Sequence, residues 1–229
     1  MADWETRAVR SDGCRIAYDC RQGEGPEVVL LHGYGLDRTM WAPQLAALEG
    51  WTVLNLDIRG HGDSRPCADF SIPQAAEDLR AVLVKERCRA PVLVGLSMGG
   101  YGAMKLALTY PERFAAAASF SGAVDAEALL RKREPRPTMR RAFGTAKAFH
   151  GSENDLFHLM EENAQAPHKP RLYVACGTED FLFGLHKKFV PALEKNGWDV
   201  THEETPSFGH EWAYWDAQLA AFLPFALGD

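Results

Sequence analysis

The sequence contains no apolar run near the ~18 residues that a transmembrane helix needs, and its acidic N-terminus carries no apolar signal segment. Positive charge is also scarce, because 25 basic residues stand against 31 acidic ones and give a net charge of −6. This balance argues against nucleic acid or an anionic membrane as a partner. No phosphate-binding glycine motif occurs, and no group of His, Cys, Asp and Glu has metal-ligand spacing. We therefore predict a soluble, cytoplasmic protein that uses no cofactor and no metal.

Cysteine is sparse, and its pattern is typical of free thiols. The number is odd, the spacing is irregular and no C-x-x-C pair occurs, so free thiols in a reducing compartment are expected rather than a disulfide framework. The five positions are Cys14, Cys20, Cys67, Cys88 and Cys176. The 229 residues, of which 46% are hydrophobic, suit one large domain with an ample core.

Strand-like and helix-like patterns alternate along the chain, which predicts an α/β fold with a mostly parallel sheet covered by helices on both faces. Strands are predicted at 15–19, 28–31, 52–57, 91–96, 171–175 and 199–204, whereas 114–120 fits either a strand or a helix. Ser71 is the predicted N-cap of a helix. We assign 1–229 to a single domain. Residues 125–169, which lack strand patterns, are predicted to form a short helical cap over the pocket, the alternative being a plain surface excursion.

The most informative segment is residues 92–99, where an apolar run meets the letters G-L-S-M-G before a helical pattern. This order predicts a nucleophile elbow, in which a tight strand-to-helix turn exposes the hydroxyl of Ser97 above the sheet. Glycine is expected at 95 and 99 because side chains there would collide with the neighbouring backbone. The alternative is a tight strand-to-helix turn without a catalytic role.

A serine nucleophile needs a base, and the base needs an orienting carboxylate. His210 is the predicted base because it lies in a loop between the last strand and the last helix. Asp180 is the predicted carboxylate because it follows strand 171–175, and its neighbour Glu179 is the rival. The other downstream histidines fall in the cap, on a helix or inside a strand, and are set aside: His150, His158, His168, His186 and His202.

Two backbone N–H groups are predicted to form an oxyanion hole. One belongs to Met98, directly after the nucleophile. The other belongs to Tyr34 in the loop after strand 28–31, where flanking glycines let the backbone approach the substrate. His32 and His61 lie in glycine-rich loops and are expected to be structural.

With these residues placed, the chain resembles the α/β-hydrolase superfamily over nearly its full length. Residues 95–103, 175–181 and 209–216 are similar to the tributyrin esterase and acetylesterase branch, which is related to S-formylglutathione hydrolase. Residues 31–35 and 56–64 look instead like the broad group of small-molecule hydrolases. One hypothesis is therefore that the chain is a natural or engineered recombinant of two branches.

The resemblance implies a serine carboxylesterase that hydrolyses small short-chain acyl or aryl esters, with Ser97, Asp180 and His210 as its triad. A thioesterase or lactonase of the same mechanism is the first alternative. A non-catalytic ligand-binding protein is the second, because fold alone does not settle function. Homo-oligomerisation is left open.

Overall fold

An eight-stranded sheet forms the centre of the molecule. The computed structural model describes residues 3–67, 70–134 and 137–227. The strands run in the order β1-β2-β4-β3-β5-β6-β7-β8, with β1, β2 and β4 paired antiparallel and all later neighbours parallel. Their bounds are β1 Glu5–Ser11, β2 Cys14–Arg21, β3 Glu27–Leu31, β4 Thr52–Leu56, β5 Val92–Leu96, β6 Ala116–Phe120, β7 Arg171–Gly177 and β8 Val200–Thr205.

Helices follow most of the parallel strands. They are α1 Ile72–Glu86, α2 Met98–Thr109, α3 Ala126–Leu130, α4 Pro137–Phe143, α5 Ala146–Phe149, α6 Leu156–Glu162, α7 Phe183–Lys195 and α8 Trp212–Leu227, with 3-10 helices at Arg38–Leu48 and Pro111–Arg113. In the part of the chain that the structure describes, none of these helices has the length and apolar character to span a membrane.

The predicted α/β architecture is confirmed, and its differences from expectation have local causes. The first strand, β1, escaped prediction because most of its residues are polar and none is fully buried. Residues Arg38–Leu48 form a 3-10 helix, and Pro43 within it lacks the N–H that an α-helix interior needs. The ambiguous segment 114–120 contains β6, which is fully buried between β5 and β7.

Two apolar clusters fill the two faces of the sheet. One face packs against α1, α2, α6 and α7, and the other packs against the first 3-10 helix and α8. The predicted N-cap of α1 is present, since Ser71 Oγ accepts a hydrogen bond from the Gln74 N–H at 3.4 Å. Burial on both faces explains why strands β3 to β7 are apolar runs rather than alternating patterns.

Residues 125–169 form the short helices α3 to α6, as predicted, although Pro135 lies outside the described residues. This segment is anchored on α2 at two points. The Tyr101 hydroxyl donates to the Asn154 carbonyl at 2.6 Å, and the Lys105 ammonium donates to the Glu153 carbonyl. That the segment covers a pocket stays a prediction.

One expectation about cysteine is wrong, because the structure joins Cys14 and Cys67 in a disulfide with a Cα–Cα distance of 5.4 Å. The start of β2 and the loop after β4 meet in space, although 53 positions separate the two residues, and no local pattern signals that contact. The other cysteines are free, with Cys20 and Cys176 buried and Cys88 half-buried.

Candidate active site

The turn between β5 and α2 holds Ser97 in a rare backbone conformation, with φ 55° and ψ −113°. A side chain at Gly95 would collide with the carbonyl oxygen of Gly99, so the turn closes only around glycine. The backbone of Ser97 is fixed from both sides. Its N–H donates to the Phe120 carbonyl at 3.0 Å, and its carbonyl accepts from the Tyr101 N–H at 3.2 Å. The predicted elbow is therefore present, and its serine is half-buried at the carboxyl end of β5.

The first turn of α2 lies against the loop after β3. A side chain at Gly99 would collide with the carbonyl oxygens of Leu31 and His32, so these backbones are in close contact. The loop that carries Tyr34 therefore begins beside Met98, the first residue of α2. Because N–H groups in the first turn of a helix have no partner inside the helix, this edge of the sheet presents free donors.

Asp180 and His210 are directly joined, since His210 Nδ1 lies 2.8 Å from Asp180 Oδ2. The Asp180 side chain is fully buried, whereas the His210 side chain is 22% exposed. A carboxylate accepts hydrogen bonds, so Nδ1 carries the proton and Nε2 is left as the basic nitrogen of the ring. Asp180 is thus preferred over its neighbour Glu179, which is exposed.

Hydrogen bonding keeps Asp180 ionised despite its burial. Desolvation by itself raises the pKa of this carboxyl, but the hydrogen bond from His210 lowers it. Further hydrogen bonds from the Leu182 N–H, at 2.9 Å, and from the Ser121 hydroxyl act in the same direction. The net pKa of Asp180 lies below its ordinary value, so a negative charge sits beside the His210 ring at neutral pH.

Aromatic side chains enclose the His210 ring on two sides. Ring centroids of Phe181 and Trp215 each lie 4.9 Å from that of His210, and Trp215 meets it edge to face. The indole N–H of Trp215 donates to Ser121 Oγ at 3.0 Å. Sequence reasoning missed Ser121, although its place directly after β6 at the carboxyl edge was a usable signal.

Ser97, Asp180 and His210 all lie at one edge of the sheet, after β5, β7 and β8 respectively. The structure brings Asp180 and His210 into a hydrogen bond. Among the described residues, no hydrogen bond is present between the Ser97 hydroxyl and the His210 ring.

His32 has the structural position that the sequence predicts. Its Nε2 accepts from the Ile58 N–H at 2.9 Å, and its Nδ1 therefore donates to the Gly33 carbonyl at 2.8 Å. The ring is fully buried, and this burial lowers its pKa to about 4. Neutral His32 thus ties the loop after β3, which carries Tyr34, to the loop after β4.

The histidines that were set aside make no hydrogen bond to Asp180 or His210 among the described residues, although His186 lies near enough for the charges of both to affect its pKa. His202 and His168 are exposed, His158 lies on α6, and His150 bonds Glu127 at 2.9 Å. His186 is buried on α7, where its ring lies 3.0 Å from the Gly122 carbonyl and burial lowers its pKa to about 4.

An apolar cavity of about 80 Å³ lies between α1 and α2, beside the predicted oxyanion groups. Its wall includes Tyr34, which is 53% exposed, and Met98. His61 also lines it, with its ring 5.5 Å from that of Tyr34. The residue directly after Ser97 is therefore part of the cavity wall.

One cluster has the chemistry of a metal site: ligand atoms of Glu127, His150 and Asp155 lie within 4.8 Å of one another. Each carboxylate already has partners of its own. Asp155 accepts from two backbone N–H groups, and Glu127 accepts from Arg131 and His150. The cluster is accounted for by these internal contacts.

A mostly parallel α/β sheet with a strained serine elbow and a buried Asp–His pair at its carboxyl edge defines a hydrolase-type fold. The chain belongs to the alpha/beta hydrolase fold family, whose sequence profile matches residues 26–217. The superfamily resemblance that the motifs predict is thereby confirmed.

Two curated relatives match part of the chain. An acetyl esterase from Caldicellulosiruptor saccharolyticus is 32% identical over 138 residues, covering 55% of this chain and 50% of the relative. A pimeloyl-[acyl-carrier protein] methyl ester esterase from Aeromonas salmonicida is 41% identical over 96 residues, covering 41% and 36% respectively. The matches thus span half or less of these relatives' length, and the two-branch origin stays a hypothesis.

Solved structures match the whole chain. FphF, a fluorophosphonate-binding serine hydrolase from Staphylococcus aureus, superposes with a TM-score of 0.77 at 21% identity, covering 100% of this chain and 99% of the other. S-formylglutathione hydrolase from the same organism gives a TM-score of 0.77 at 20% identity, covering 99% of each chain. At this identity the likeness shows the shared fold.

Replacing Gly99 by alanine is expected to destabilise the protein by at least about 2 kcal/mol, since the new methyl group collides with two backbone carbonyls. Gly102→Ala on the same helix is the matched control. Its added carbon meets only Leu31 at 4.0 Å, and helix propensity favours alanine by up to ~1 kcal/mol. Urea unfolding of the two variants measures the difference. Equal stabilities would contradict the close approach at the elbow.

Stability is expected to fall as the pH drops from 6.5 towards 4, because His32 and His186 have folded pKa values of about 4 against 6.5 in the unfolded chain. The unfolded chain then binds protons first, which costs roughly 2 kcal/mol per histidine at pH 5. The free energy of unfolding, measured in urea, should therefore differ between pH 7.5 and pH 5. His186→Gln should reduce this difference by the contribution of one histidine. The exposed His202→Gln should leave that difference unchanged, and an equal response of both variants would refute this assignment.

Proposed function

We propose that this protein is a serine carboxylesterase acting on small, short-chain acyl or aryl esters. The observation that carries the proposal is the Asp180–His210 hydrogen bond of 2.8 Å at the same sheet edge as the strained Ser97 elbow. The two esterase relatives support an ester as the substrate.

In the proposed reaction, Ser97 Oγ attacks the ester carbonyl while His210 Nε2 takes its proton. Asp180 holds the Nδ1 proton of His210 and stabilises the imidazolium that forms. The N–H groups of Met98 and Tyr34 stabilise the oxyanion, each by ~3 kcal/mol in the transition state. His210 then protonates the leaving alcohol, and water releases the acyl group by the same route.

Proton transfer from Ser97 requires the hydroxyl and His210 Nε2 to come within hydrogen-bond reach when substrate binds. His210 is hydrogen-bonded to Asp180 through Nδ1, which leaves Nε2 to take the Ser97 proton. Thioesters and lactones present the same electrophilic carbonyl, so they are side substrates of the proposed site.

Loss of the nucleophile or of the carboxylate is expected to abolish most ester hydrolysis. Ser97→Ala should lower kcat/KM for p-nitrophenyl butyrate by at least about 10³-fold, and Asp180→Asn should approach 10⁴-fold because the tautomer of His210 is no longer fixed. Release of p-nitrophenol measures both.

Glu179→Gln and His202→Gln are the matched controls, since both side chains are exposed and lie outside the proposed triad. Both should keep the wild-type rate. Equal rates for wild type and Ser97→Ala would overturn the esterase proposal and favour a non-catalytic ligand-binding protein. A loss in Glu179→Gln but not in Asp180→Asn would reassign the carboxylate.

A further inference from the structure

The apolar cavity lies wholly on one side of the elbow strand. It is lined by β2, by the loops after β3 and β4, and by α1 and α2, and no described residue beyond Leu106 contributes to its wall. Asp180 and His210 follow β7 and β8, which lie on the other side of β5 in the sheet. Ser97 thus stands between the apolar cavity and the His210 ring.

The proposed chemistry assigns a different half of the substrate to each side. The leaving alcohol must lie near His210, because this ring donates the proton that the alkoxide takes up as its bond to the carbonyl carbon breaks. The acyl group therefore points away from His210, past Met98 and Tyr34. We propose that the cavity between α1 and α2 is the acyl-binding subsite and that Gly102 sets the size of the acyl group it admits. This inference rests on the proposed esterase function.

The cavity suits an uncharged acyl group. The charged side chains in its wall make contacts of their own. Arg59 and Asp78 form a buried pair with N–O distances of 2.6 and 2.7 Å. Asp57 accepts hydrogen bonds from Arg38, and the Lys105 ammonium donates to the Glu153 carbonyl. Phe70, the aliphatic residues of β2, β3, β4, α1 and α2, and residues of the loops after β3 and β4 supply the rest of the surface. An acyl chain that ends in a carboxylate would have to shed its water and compete with these existing contacts, which is unfavourable.

The size of the cavity points to short chains. One water-sized group needs about 10–15 Å³ of such space, so a cavity of about 80 Å³ holds roughly five to eight groups. Gly102 lies in the wall on α2, and a side chain there would meet only Leu31, at 4.0 Å from the first carbon. Because the first carbon has room and Gly102 lines the cavity, we expect a larger side chain at this position to take up acyl space.

The alcohol side is open by comparison. Phe181, which contacts the His210 ring, is 60% exposed, and Trp212, which contacts Trp215, is 46% exposed. An alcohol seated there contacts rings without being enclosed. The enzyme should therefore select its acyl group strictly and its alcohol loosely.

The test compares wild type with Gly102→Leu on two substrate series. The first varies the acyl group, from p-nitrophenyl acetate through butyrate to hexanoate, and the second varies the alcohol at constant butyrate. Gly102→Leu should reduce the hexanoate-to-acetate ratio of kcat/KM at least about tenfold, because leucine occupies the acyl space. The ratio of phenyl to ethyl butyrate should stay unchanged.

Gly184→Leu is the matched control, because Gly184 is an exposed glycine on α7 with no heavy atom within 4 Å of the added carbon. It should leave both ratios at their wild-type values. The acyl assignment alone is overturned if Gly102→Leu is active and its phenyl-to-ethyl ratio shifts instead of its hexanoate-to-acetate ratio. It is also overturned if both ratios stay unchanged in an active variant. A folded wild type without Ser97-dependent hydrolysis overturns the esterase proposal and this inference with it.

Discussion

The close approach of two backbones at the elbow is the constraint on which the site depends. Gly95 and Gly99 have no side chains, so the first turn of α2 closes against the end of β5 and against the carbonyl groups that follow β3. This packing forces Ser97 into a rare conformation with positive φ, which costs about 1–3 kcal/mol and persists because the packing around the turn leaves no alternative. The same contact sets the distance between the α2 N-terminus and the Tyr34 loop.

The second requirement is a buried negative charge that stays charged. Asp180 loses all contact with water, and the donors supplied by His210, Leu182 and Ser121 compensate for that loss. Each donor comes from a different part of the chain. The pair therefore forms only when β6, β7 and the loop after β8 have reached their final register, which couples the chemistry of the site to completion of the sheet.

Local sequence patterns predict much of this arrangement. The mostly parallel sheet, the elbow and the choice of Asp180 and His210 follow from apolar runs, glycine positions and chain order, because the carboxyl ends of parallel strands meet at one edge. The contact between Trp215 and Ser121 spans 94 positions, and the Cys14–Cys67 disulfide spans 53. Such contacts have no local signature. The acyl space between α1 and α2 also arises from tertiary packing, and no single motif encodes it.

The central claim is that Ser97 is an activated nucleophile, and covalent labelling tests it most directly. A fluorophosphonate reacts with a serine only when a neighbouring base removes its proton. Peptide mapping by mass spectrometry should find one adduct per chain on the peptide that contains Ser97, and Ser97→Ala should carry none. An adduct on another residue, or equal labelling of the wild type and Ser97→Ala, would contradict the account.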